Sequence, residues 1–231
     1  MVEPEGVRPL LVKRGLTPWV KICGTTNLED AFGAVEAGAD ALGFIFVPSS
    51  PRVVTRQRTS EILAALPATV LSVGVVADEN PHFLNGLLRV CPLQALQFHG
   101  QETPEEVLAF QGRVKLIKAI RVKGAASLEL IPRYQGVDAI LLDTFQAGKR
   151  GGTGTPFDWK WAVQAKSYGI PVIVAGGLTP ESVAQVVRDV EPYGLDVASG
   201  VELFPGKKDP ARVREFIVKA RARLTLPAGS D

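Results

Sequence analysis

The sequence predicts one closed barrel of eight parallel strands wrapped by helices, a (β/α)₈ TIM barrel, and three observations lead there. Short apolar runs rich in Val, Ile, Leu and Phe alternate with longer amphipathic stretches along almost the whole chain. Most of these runs lack the apolar–polar alternation of a half-wetted sheet, which suits parallel strands covered by helices. Eight such strand–helix units fit between residues 19 and 224, a number that favours closure over a doubly wound open sheet.

The strands are predicted at Trp19–Cys23, Ala41–Phe46, Val70–Val76, Ala95–His99, Lys115–Ile120, Ala139–Asp143, Val172–Ala175 and Asp196–Ala198. Helical patterns lie between and after them at Leu28–Glu36, Thr59–Leu66, Pro81–Val90, Pro104–Phe110, Ala125–Arg133, Asp158–Tyr168, Pro180–Val190 and Pro210–Leu224. Asn27 stands before the first helix as a capping side chain, and Thr103-Pro104, Thr179-Pro180 and Asp209-Pro210 each place Pro after a capping residue. The barrel domain is thus expected over residues 19–224. Residues 1–18 read as an irregular extension, and 225–231 as a frayed tail.

Composition narrows the function classes. The 231 residues are 46% hydrophobic, with 26 basic and 24 acidic side chains spread along the chain and a formal charge of +2. No basic block marks a nucleic-acid or membrane partner, while a small phosphorylated substrate needs only a few local donors. The two cysteines, Cys23 and Cys91, show neither CxxC spacing nor a nearby His pair, so neither a metal site nor a disulfide framework is expected. No long apolar stretch near the start reads as a secretion signal, and none elsewhere as a membrane span. A cytoplasmic location is the expectation. An open sheet binding a dinucleotide would find its main support in G-x-G-x-x-G after the first strand or in a G-x-x-x-x-G-K-[ST] loop; both are missing.

In such a barrel the chemistry sits at the C-terminal strand ends. Those ends carry Lys21-Ile22-Cys23-Gly24, Gln97-Phe98-His99-Gly100 and Leu141-Leu142-Asp143-Thr144, with Arg52 shortly after the second strand. Strands seven and eight run into Gly176-Gly177 and Ser199-Gly200, small-residue turns where backbone N–H groups can approach a phosphate, with positive potential from following helix N-termini. Taken singly, Cys23 is a common apolar filler and Asp143 a common helix cap. Together at one rim they supply a base and an acid.

The ordered strings KICGTTNLEDA, GADALGFIF, SPR, LQFHG, ILLDT, GGTG followed by FDW, AGGLTPE, SGVE and FPGKKD resemble the phosphoribosylanthranilate isomerase family across about residues 19 to 216. The resemblance implies an Amadori rearrangement in tryptophan biosynthesis, needing no cofactor and no metal. It makes Asp143 the general acid and Cys23 the general base, Arg52 the ligand of the anthranilate carboxylate, and Gly148–Thr155, with Gly154, a loop over the phosphate. His99 becomes a substrate contact or a satisfied interior histidine. Ala198 departs from the serine of the family's SSGVE form. A carboxylic acid must keep its proton near neutrality to serve, and a thiol near its reference pKa of about 8.5 needs a nearby positive group to ionise. Lys21, on the same strand face as Cys23, is expected to pair with Asp196. Cys91 is expected to be inert.

Two rivals remain at this point. The histidine-pathway isomerase performs the same rearrangement with two aspartates, and Cys23 at the first strand end argues against it. A non-catalytic phosphate-binding barrel needs neither Cys23 nor Asp143. Monomer and homodimer are both open.

Overall fold

The computed structural model describes residues 17–143 and 159–222. Its strands are β1 (Trp19–Cys23), β2 (Ala41–Ile45), β3 (Leu71–Val76), β4 (Ala95–Phe98), β5 (Lys115–Arg121), β6 (Ala139–Asp143), β7 (Val172–Ala175) and β8 (Gly194–Val197). Each pairs in parallel with the next, and β8 returns to β1 with Lys21 opposite Asp196, closing the barrel. The sheet therefore has no free edge.

The two faces of the strands are largely apolar, for different reasons. Inward residues such as Trp19, Val73, Ile117, Leu141 and Ile173 fill the barrel, while outward ones such as Ile22, Phe44, Leu96 and Val174 pack beneath the helices. That double burial is why the runs do not alternate.

The helices are α1 (Leu28–Glu36), α2 (Arg56–Ala65), α3 (Pro81–Val90), α4 (Pro104–Leu108), α5 (Lys160–Ala165), α6 (Val183–Val190) and α7 (Pro210–Arg221). Asn27 caps α1 by accepting from the Asp30 amide, Thr103 forms a full capping box with Glu106, and Asp209 accepts from the amides of Ala211 and Arg212. Among the described residues no helix is long and apolar enough to cross a membrane.

Several expectations need correction. The second helix starts at Arg56, capped by Thr55, and not at Thr59; its first turn, Arg56-Gln57-Arg58, has no apolar residue to reveal the period. Thr179-Pro180 does not open a helix. Thr179 and Ser182 hydrogen-bond each other in a turn, and α6 begins at Val183. The fifth helical segment, Ala125–Tyr134, is a 3₁₀ helix, because Pro132 lacks the amide that an α-helix needs and its ring crowds the preceding turn. β8 starts two residues early, at Gly194, where a side chain would strike the Trp19 ring at 2.9 Å. It stops at Val197, before Ala198. The segment expected at Asp158–Tyr168 is described only from its second residue, as α5 and a 3₁₀ turn at Lys166–Tyr168. Asp158 and Leu224 lie outside the described residues, as do nearly all of the two terminal extensions.

Candidate active site

The inward positions of β1 run Trp19, Lys21, Cys23, so the strand turns from apolar to polar as it reaches the C-terminal rim. Lys21 is fully buried and its ammonium bonds Asp196 Oδ1 at 2.9 Å across the β1–β8 seam, the pairing the sequence led us to expect. The Cys23 thiol lies beside it. A side chain on Gly43 of β2 would meet Cys23 Sγ at 2.7 Å and Lys21 Nζ at 3.0 Å, so glycine leaves the room that both occupy. Burial pushes the Cys23 thiol up and Asp196 adds to this, while Lys21 and Lys208 pull the other way. Burial alone would lower Lys21, but Asp196 and Cys23 outweigh it and raise the ammonium.

After β8 the chain makes a short hairpin, β9 (Glu202–Phe204) and β10 (Lys207–Lys208), which folds back over the end of β1. Lys208, also buried, bonds the Cys23 carbonyl oxygen at 2.5 Å and Glu202 Oε1 at 2.9 Å. Glu202 in turn holds Arg52, whose Nε and Nη2 approach its two oxygens at 2.6 to 3.0 Å. Burial works to raise Glu202, but the hydrogen bonds from Arg52 and Lys208 prevail and hold its carboxyl below the usual range. The hydrogen bond to Glu202 in turn raises Arg52. Arg52 is therefore no solvated loop residue. Its stem crosses Gly24, where a side chain would meet Cδ at 2.6 Å. The other end of the hairpin is anchored to α1, with Asp30 accepting from the Lys208 amide and the Lys207 ammonium.

Asp143 ends β6 facing inward, two residues after Leu141 of the barrel filling. His99, just past β4, bonds it through Nε2 to Oδ2 at 3.1 Å, and His99 Nδ1 lies 3.1 Å from Gln97 Nε2. β4 and β6 are not neighbours, but alternate strands contribute to one interior layer, so the two side chains meet above β5. The structure thus gives His99 two side-chain partners, Gln97 and Asp143. Arg121 of β5, opposite Asp143 in register and exposed, shares this rim.

The turns after β7 and β8 form the remaining wall. Gly176 and Gly177 adopt φ of 86° and 67°, a left-handed conformation that glycine accommodates without strain. Gly200 needs to be glycine because the Leu178 carbonyl would collide with any side chain there, so the two turns touch backbone to backbone. Ser199 is exposed and opens a three-residue 3₁₀ turn, Ser199–Val201. No α-helix N-terminus follows either turn directly, which corrects that part of the phosphate argument; what remains is closely approachable backbone. Ala198 offers no hydroxyl, and its carbonyl accepts from Lys208 at 3.4 Å. Gly154 and the Gly148–Thr155 loop lie outside the described residues. Cys91 is buried, with its Sγ donating to the Arg56 carbonyl.

Sequence reasoning missed Lys208, Glu202, Asp30 and Arg121. The Lys207-Lys208 pair beside Pro and Gly was the available signal, since two adjacent lysines on a hairpin point opposite ways and one must go inward.

Comparison with known proteins agrees with this geometry. The family model described as N-(5′phosphoribosyl)anthranilate (PRA) isomerase matches residues 20–219. The N-(5′-phosphoribosyl)anthranilate isomerase of Geobacter sulfurreducens is 50% identical over 202 residues, covering 87% of this chain and 98% of that protein. The crystal structure of phosphoribosyl anthranilate isomerase from Thermotoga maritima superposes with a TM-score of 0.82 at 39% identity, covering 88% and 98%. A second solved structure, of a phosphoribosyl anthranilate isomerase in complex with reduced 1-(o-carboxyphenylamino)-1-deoxyribulose 5-phosphate, gives 0.80 and 38%, with the same coverage. The chain belongs to the N-(5′-phosphoribosyl)anthranilate isomerase family.

Proposed function

We propose that this chain rearranges N-(5′-phosphoribosyl)anthranilate to 1-(2-carboxyphenylamino)-1-deoxyribulose 5-phosphate, a step of tryptophan biosynthesis, with Asp143 as general acid and Cys23 as general base. The observation that carries the residue assignment is the placement of one inward thiol and one inward carboxyl on the C-terminal rim, on β1 and β6, each with its own polar partners.

Asp143 protonates the furanose ring oxygen, the C1′–O bond breaks, and the anthranilate nitrogen lone pair forms the Schiff base. The cationic nitrogen acidifies the C2′ hydrogen, which Cys23 removes as a thiolate. The resulting enolamine tautomerises to the ketone, so the substrate is isomerised with no net loss of protons. Lys21, Lys208 and Arg52 supply the positive charge that the thiolate requires against burial and Asp196. Arg52 spends Nε and Nη2 on Glu202, and its Nη1 makes no hydrogen bond among the described residues, so it can still reach the anthranilate carboxylate. Gly176, Gly177, Ser199 and Gly200 present backbone to the phosphate. The relative with a reduced open-chain product bound supports a seat for the opened sugar.

The test is loss of phosphoribosylanthranilate fluorescence on adding enzyme. Cys23→Ala should lower kcat by at least the ~10²–10⁴-fold typical of a positioned base, with affinity for the reduced product analogue nearly unchanged. More than a tenth of wild-type kcat would remove Cys23 from the role. Asp143→Asn should fail earlier, at ring opening, so substrate opened chemically should partly rescue it and leave Cys23→Ala inactive. Rescue of Cys23→Ala alone would mean that acid and base are exchanged.

A further inference from the structure

A general acid at this rim faces a supply problem. A carboxylic acid on its own, with a pKa of about 3.9, is protonated in only about one molecule in a thousand at pH 7. Yet Asp143 is not alone: His99 touches it, and Gln97 touches the far nitrogen of the same ring.

We propose that the proton Asp143 delivers is held jointly with His99, and that Gln97 lets the pair load and discharge by turning its side-chain amide. This rests on Asp143 being the acid. His99 is then a positioning residue that acts on the substrate only through Asp143.

The geometry allows two states one proton apart. In the discharged state Gln97 Nε2–H donates to His99 Nδ1, and the single ring proton on Nε2 is donated to the Asp143 carboxylate; the 3.1 Å contacts of Gln97 Nε2 with Nδ1 and of His99 Nε2 with Asp143 Oδ2 fit this state. In the loaded state Nδ1 carries a proton donated to Gln97 Oε1, and a second proton lies between Nε2 and Oδ2, from where Asp143 passes it to the ring oxygen. The donated proton leaves the remaining one on Nδ1. Its transfer to Nε2, with the amide turned, restores the discharged state, and uptake of one proton from solvent reloads the pair.

Gln97 is suited to the switch. It is buried, 1% exposed, and its Oε1 has no hydrogen-bond partner among the described residues, so no bond on that side holds the amide in one orientation. Two titratable groups in hydrogen-bond contact release protons as a pair, and an imidazole ordinarily titrates far closer to neutrality than a carboxylic acid. A proton owned by the pair is thus available to Asp143 at a pH where the carboxyl alone would have almost none.

Among the described residues, other charged groups on β5 and in the loops after β3 and β4 are exposed or already engaged. Arg121 of β5 is exposed at the rim beside Asp143. Asp78 and Glu102, in the loops after β3 and β4, are tied to the amides of Gln101 and Gly100, and Glu102 also to the ammonium of Lys118 at 2.6 Å.

The chain has two histidines, and the other, His82, is exposed on α3. In His82→Gln protein labelled with ¹⁵N-histidine, NMR therefore reads His99 alone. Above its midpoint His99 should carry its proton on Nε2. Asp143→Asn should lower the midpoint, through loss of the carboxylate that favours the charged ring, and Gln97→Glu should raise it. A midpoint unmoved by Asp143→Asn overturns the shared proton. As a second readout, His99→Asn keeps a hydrogen bond but cannot titrate. Its kcat should fall at least tenfold at pH 7 and recover toward acidic pH, where Asp143 protonates unaided. A profile of wild-type shape, merely scaled down, overturns the proposal. If Asp143→Asn kept full activity while the NMR coupling held, the acid assignment would fail and the pair would stand.

Discussion

Lys21 is the residue on which most of the rim's electrostatics turns. Fully buried, it is held at 2.9 Å by Asp196 and lies beside Cys23. Replacing it with methionine keeps the stem and removes the charge, leaving the thiolate to face Asp196 and burial with less compensation. In a Cys91→Ser background, iodoacetamide should alkylate Cys23 of Lys21→Met more slowly, with the pH midpoint of the reaction moved upward. An unchanged midpoint would show that Lys208 and Arg52 carry the thiolate without it. At this scale the sequence was informative where a residue type is rare in its setting: a lysine inside a barrel demanded an anion, and Asp196 was nameable beforehand. Arg52 was less legible. Its carboxylate partner Glu202 lies 150 residues away, a distance that no local pattern reports.

The element that most alters the picture is the β9–β10 hairpin. It pins β1, α1 and the loop after β2 through Lys208, Asp30 and Glu202. Its core depends on an ionised Glu202, whose carboxyl is held below the usual range. The stability that this group contributes is present above the unfolded-state carboxyl value and is lost as pH falls through the lower folded value. Wild-type melting temperature should therefore drop more steeply with acidification in that window than that of Glu202→Gln. At neutral pH the variant should be the less stable, since breaking a buried pair costs about 3–5 kcal/mol. Parallel melting curves that differ by a constant at every pH would count against this linkage. Strands and caps could be read from the chain because period and capping are local. The 3₁₀ run at Ala125–Tyr134, the late start of α6 and this hairpin could not, because each is decided by a proline, a two-residue turn or charges brought from a distance.

Across the whole molecule, eight parallel strands close through one seam, β1 against β8, and the buried ion pair between Lys21 and Asp196 sits on it. Asp196→Ala leaves a buried ammonium uncompensated, so it should destabilise the barrel by about 3–5 kcal/mol in urea denaturation. A loss below about 1 kcal/mol would mean that Lys21 finds another partner. The fold class was legible because barrel closure follows from a count of repeating units; the seam's chemistry had to be reasoned from which residues face inward. The seam has a further consequence during synthesis. Lys21 and Asp196 are separated by 175 positions, and the Cys23 carbonyl and Lys208 by 185. At about 5–20 residues per second on the ribosome, the first strand waits on the order of ten to forty seconds for the groups that complete its surroundings. The nascent chain therefore carries the Cys23 thiol early, yet acquires the buried charges that surround it among the last things it makes.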